Sequence, residues 1–191
     1  MKKLILLAGI LAVSGISFAA EKALNEDQAE VQVKAVVVAS LNIKDVKNVD
    51  FGYLASGVVK EYSADGGFTI EGGSKCKVIL EAKDANSGGE FQPVSSTPIQ
   101  VLMKNPNGKG KNAEMISSLA LSLNGNNINN GSIKLSYDKY DKTTGKSSGK
   151  AVIKIDGKVS TSVQQDFGNY SGSLLVKAKY DNPLMDAGDM N

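Results

Sequence analysis

The side chains that carry most enzyme chemistry are thin on this chain of 191 residues, which has no histidine and one cysteine, Cys76. Without imidazole the commonest general base is missing. The Ser, Asp and Lys residues lie scattered through turn-like segments with no nucleophile-and-base arrangement. Composition also excludes metal sites built on imidazole or paired thiolates. Asp138 and Asp141 are near enough in sequence to share a calcium ion, but no further spaced oxygen ligands accompany them, and they read better as part of a solvated loop. Gly66-Gly67, Gly72-Gly73 and Gly88-Gly89 fall between apolar runs and none opens a helix, which argues against a phosphate-cradling loop. The expectation is a protein that is not an enzyme and holds no cofactor and no metal. Cys76 shares the alternate spacing of Val78, Leu80 and Ala82, which predicts a buried thiol. A single cysteine also excludes an intrachain disulfide, so stability must come from packing and strand pairing.

What remains is the chemistry of the main chain. Val31, Val33, Ala35, Val37, Ala39, Leu41 and Ile43 recur at every second position, so an extended chain turns them all to one side. Gln32, Lys34, Ser40, Asn42 and Lys44 point the other way, and only Val36 and Val38 blur the polar face. A strand over 31–43 with one such face has to be covered, by its own chain or by a sheet edge in another copy, because exposed edges pair with what they meet. These seven residues are the candidate strand-exchange interface.

The elements around that strand are bounded by a leader and a tail. Lys2 and Lys3, the apolar run Leu4 to Ala12 and the small-residue pattern Ser17-Phe18-Ala19 predict a Sec signal peptide over 1–19, cut after Ala19. The run is short for a membrane span of roughly 20 residues. The expected destination is the periplasm, the cell surface or the extracellular space. Loss of Lys2 and Lys3 takes the formal net charge from +2 to 0, which leaves no long-range field to attract nucleic acid. A polar segment over 20–30, one domain over 31–182 and a polar tail over 183–191 follow.

Within the domain, short apolar runs alternate with turn residues: Phe51–Leu54, Phe68–Glu71, Cys76–Ala82, Ile99–Met103, Leu119–Leu123, Ile133–Tyr137, Ala151–Val159 and Ser173–Tyr180. The glycine pairs above, with Asn107-Gly108, Asn124-Gly125 and Asn130-Gly131, supply residues for chain reversal. Helix is expected only as a turn or two in Ala113–Leu119, and loops at Asn124–Asn130 and Asp138–Lys150. The prediction is an all-β sandwich. An outer-membrane barrel fits the strands but not the aromatic content, which is 6% with no tryptophan to form girdles.

Asp166-Phe167-Gly168-Asn169-Tyr170 has the Asp-x-Gly-x-Tyr spacing of the tyrosine corner in Ig-like (Greek-key) β-sandwiches, where the hydroxyl bonds back to the chain just upstream; Gly172 stands where antibody domains carry a core cysteine. Asp166, Gly168, Tyr170 and Gly172 are thus a candidate structural corner. The strand after it would be the sixth, with Leu174, Val176, Ala178 and Tyr180 inward. A seventh does not follow, because Asp181–Asn191 lacks alternation and carries three acids with a proline and a glycine. The sheet edge is expected to be incomplete, and the segment 31–43 has the chemistry to fill such a gap by strand addition.

The run AEVQVKAVVVASLNI, then VDFGYLASG, GGFTIEG and FGNYSGSLLVKAKYDN, resembles the DUF4402 family of secreted Ig-like domains, and beyond it pilin subunits of alternate chaperone-usher fimbriae and spore-coat U-type proteins. The pieces with most weight are Asp50-Phe51-Gly52, Phe68–Gly72 and Gly168–Gly172. The resemblance implies a pilin-like structural subunit that polymerises through its N-terminal segment, with other pilin subunits as partners and a periplasmic chaperone and outer-membrane usher serving it. Many such pilins carry a disulfide, and this chain departs from them there. The alternative is a monomeric secreted Ig-like module or adhesin that binds a host receptor through the loops at 124–130 and 138–150.

Overall fold

Alternation governs the chain. The structure, a computed structural model, describes residues 39–143 and 145–181. Along β10 (Lys146–Ser160) Ala151, Ile153, Ile155 and Val159 are buried while Val152, Lys154 and Lys158 face solvent. In β6 (Glu114–Leu123) Met115, Ser117, Leu119 and Leu121 are buried and Ile116 is exposed. Period-two burial of this kind leaves each strand one face for a core.

Five antiparallel strands form the larger sheet in the order β1 (Asn42–Lys47), β2 (Glu61–Gly73), β10, β6 and β5 (Ile99–Lys104). The short β7 (Asn126–Asn127) pairs with β6, and β9 (Ser136–Asp141) with the start of β10. In the smaller sheet β3 (Lys77–Asp84) lies between β11 (Leu174–Tyr180) on one edge and β4 (Gln92–Pro93) and β8 (Ser132–Lys134) on the other. Phe68, Ile70, Leu119, Leu121, Ile153 and Ile155 from the first sheet meet Val78, Leu80, Ala82 and Ile133 from the second in one core.

The strand order identifies the fold. In chain order, β1-β2-β10-β6 and β11-β3 reproduce the A-B-E-D and F-C arrangement of an Ig-type Greek key. The protein is an all-β, Ig-like sandwich. Its last position, a strand G beside β11, has no occupant among the described residues.

Several local expectations are corrected. Ala39, Ser40 and Leu41 are not in a strand, Asn42 and Ile43 open β1, and 31–38 lie outside the described residues, as do the leader over 1–19 and the tail over 183–191. Phe51–Leu54 is irregular: an Asx turn, in which the Asp50 carboxylate accepts from the Gly52 N–H at 2.9 Å, bends the chain there. Ala113–Leu119 is not helical. Only a 3-10 turn, Gly110–Ala113, precedes β6, whose buried positions fall at every second residue rather than every third or fourth. Ile133–Tyr137 breaks at Leu135, which is 1% exposed, as the chain leaves β8 in one sheet for β9 in the other. Much of 138–150 is hairpin strand rather than loop. Gly66-Gly67 and Gly72-Gly73 lie inside β2, where backbone and side chains approach too closely for a Cβ. Asn124-Gly125 does turn the chain: φ of 52° and 79° make the two-residue reversal between β6 and β7.

Candidate functional site: a groove beside β11

A strand pairs on two edges, and among the described residues β11 uses one. Asp181 N–H binds the Lys77 carbonyl at 3.0 Å and Ala85 N–H binds the Ser173 carbonyl at 2.9 Å. Bonding alternates along an antiparallel pair, so the N–H groups of Leu174, Val176, Ala178 and Tyr180 point away from β3. Among the described residues no strand pairs with that edge. The side chains of those same four residues turn toward the core yet stay only half-buried.

The opposite wall is the end of β1 and the irregular stretch 48–56 after it, in which Val49, Phe51 and Leu54 pack inward. Between the walls lies a cavity of about 950 Å³ whose floor is core side chains: Phe68, Val101, Met103, Met115, Leu119 and Ile155, with Leu174 and Val176 beside them. At its rim Tyr53 is fully exposed and Phe167 is 88% exposed. Close packing is the normal condition of a core, so a trough that opens onto one leaves apolar surface that the described residues do not cover.

The two ends of β11 are anchored differently. At its start stands the corner. The Tyr170 hydroxyl lies 2.9 Å from the Asp166 carbonyl and 2.8 Å from the Asn112 carbonyl, and it accepts from the Gln165 amide at 2.9 Å. Asp166 also accepts from Lys109 N–H at 3.3 Å through its carboxylate. Gly168 sits at φ 145°, where a Cβ would collide with Asn105. Gly172 passes under β5, where a Cβ would come within 2.7 Å of the Leu102 carbonyl. Asp166, Gly168 and Tyr170 therefore meet one loop, 105–112, which pins the crossing from β10 to β11.

At its other end, the Tyr180 hydroxyl accepts from Gly73 N–H at 2.8 Å and donates to the Ala39 carbonyl at 2.6 Å. Burial pushes the Tyr180 pKa up, against the opposing pull of the Gly73 hydrogen bond. Of the seven candidate exchange residues, Ala39 is held by this contact, and Leu41 and Ile43 pack half-buried against the core. Val31, Val33, Ala35 and Val37 lie outside the described residues.

On the outer face of β3 and β11, Glu81 is 8% exposed between Lys179 at 2.5 Å and Lys177 at 3.6 Å. The hydrogen bond from Lys179, then the charges of both lysines, hold its carboxyl below the usual glutamate range despite its burial. Cys76 is buried, 5% exposed.

Sequence reasoning missed two polar anchors. Asn105, 4% exposed, donates to the Phe167 carbonyl at 2.9 Å and accepts from Asn107 N–H at 3.0 Å. Asp84 accepts from Asn86 N–H at 3.0 Å and, across the sheets, from Leu102 N–H at 3.1 Å. Asn105 opens an Asn-Pro-Asn-Gly turn signal. Asp84, at the end of an apolar run, has no signature of its own.

No helix among the described residues is long and apolar enough to cross a membrane, and no cluster of three or more metal-ligating side chains occurs among them. No protein-family model matches the chain, and no curated protein is significantly similar to it. Among solved structures it is similar to the P pilus rod subunit PapA, with 14% identity over 74% of this chain and 99% of that one, at a TM-score of 0.36.

Proposed function

We propose that this chain is a pilin-like structural subunit of the DUF4402 type, exported to the cell surface, whose N-terminal segment adds as a strand to the groove of a second copy. The observation that carries this reading is the trough beside β11, whose floor is the core itself and whose wall offers four N–H groups that no described strand pairs with. Main-chain bonds to that edge would supply affinity, and the alternate apolar residues from Val31 to Val37 would cover Phe68, Leu119 and Met115. A chaperone and usher fit this role, because an uncovered core groove needs protection before assembly.

Replacing Val33 or Val37 by Asp puts a charge against that floor, and should abolish oligomers of the mature protein while export continues. Gel ladders after mild heating, read beside light scattering, measure it; unchanged ladders would contradict the proposal. The Tyr180 contact to Ala39 favours a second reading, in which the leading segment folds back on its own copy and the protein is a monomeric binding module. Light scattering then shows a single particle of the mature mass for the unmodified protein.

A further inference from the structure

The edge of β11 differs in chemistry from one end to the other. Toward Leu174 it adjoins the apolar floor of the groove. Toward Tyr180 its outer face carries Lys177 and Lys179, with Lys77 and Lys134 paired across β3 and β8 on the same side, against the carboxylate of Glu81. The leading segment is divided in the same way. Glu21, Glu26, Asp27 and Glu30, with a single lysine among them at Lys22, precede the apolar positions Val31 to Val37.

We infer, building on the strand-addition reading above, that the acidic stretch Glu26–Glu30 of one copy lies on the lysine face of the next, and that this contact sets the direction and register of insertion. The segment runs antiparallel to β11, with Glu30 opposite Lys179 and Gln32 opposite Lys177 on the outer face. On the inner face Val31, Val33 and Ala35 come opposite Ala178, Val176 and Leu174, so apolar side chains cover the floor and paired residues share a side. Sliding the segment by two or four residues toward the opposite register sets Lys34 against Lys177 or Lys179, like charges directly opposed. Reversing its direction while keeping Glu30 at the lysines carries Asp27 over the apolar floor, where an unpaired carboxylate is strongly disfavoured. Sliding it two residues the other way keeps Glu30 at a lysine, Lys177, but sets Asp27 opposite Tyr180 on the inner face, so only the arrangement with Glu30 at Lys179 satisfies both ends of the groove. In it the donor chain reaches its own Ala39 at the corner end of the acceptor, so copies follow one another head to tail in an open series rather than closing as a symmetric pair.

Two cysteine pairs in the full-length secreted protein test the register: Val31→Cys with Ala178→Cys, and Val31→Cys with Leu174→Cys. Directly opposed strand positions lie within disulfide range, and native Cys76 is buried. The expected result is a ladder of covalent oligomers on non-reducing gels for the Ala178 pair alone. Charge exchange supplies a second readout: Glu30→Lys and Lys179→Glu should each weaken assembly roughly two- to fivefold at low salt, and the double variant should recover it. A ladder with the Leu174 pair, or no ladder with either while light scattering still shows polymers, overturns the register and leaves strand addition standing. A parent protein that stays a single particle overturns both.

Discussion

Tyr170 shows how a single hydroxyl can set the geometry of an edge. It joins the crossing segment to the loop that begins β6, through the carbonyls of Asp166 and Asn112 and the Gln165 amide. Tyr170→Phe leaves those groups without their shared partner and should cost about 1–2 kcal/mol, read as a melting temperature lower by roughly 3–6 °C. Gly168→Ala meets both an adverse φ and the Asn105 side chain, and should cost at least as much. Glu81 makes a pH-dependent contribution. Its folded pKa lies below the unfolded one, so the stabilisation is complete above roughly pH 4.3 and is lost as pH falls through the folded value. Melting curves from pH 6 to pH 3 should therefore fall more steeply for the parent than for Glu81→Gln, the two converging at the acid end. Parallel curves would mean that Lys177 and Lys179 do not hold the carboxylate.

At the scale of elements, legibility followed alternation. Ala151 to Val159, Phe68 to Glu71 and Leu174 to Tyr180 could be read as strands because their apolar residues fall at every second position, and the structure turns those positions inward. The corner rests on a different signal, a fixed offset of turn residue and tyrosine, and the Tyr170 hydroxyl does bond back to the Asp166 carbonyl. Phe51 to Leu54 was misread because two apolar residues near a glycine resemble a short strand, whereas the Asp50 turn directs them into the groove wall. Ala113 to Leu119 does not form the expected helical turn; Ser117 and Ser118 hide the period-two pattern that burial reveals. The extra length of β2 and β10 was beyond reach, since Glu61 to Ala64 is too short an alternation to stand out and Lys146 to Lys150 is polar, and both become strand by pairing with neighbours. Asp84 belongs with these, its role arising from a sheet-to-sheet contact with Leu102 that no local pattern encodes.

For the whole molecule, the consequence is a sandwich with six of the seven Ig strand positions filled among its described residues and a core open along the remaining one. In the proposed assembly that opening is closed by a strand from a neighbouring copy, whose segment 31–43 has the alternate apolar residues for it. Hydrogen exchange at the outward N–H groups of Val176, Ala178 and Tyr180 measures this most directly, compared between the assembled protein and the Val33→Asp variant kept as single copies. Those amides should exchange quickly in the single copies and become strongly protected on assembly, while amides bonded to β3 stay protected in both. Equal, strong protection of all of them in single copies would mean that the edge is closed within one chain, and the assembly described above would have no site.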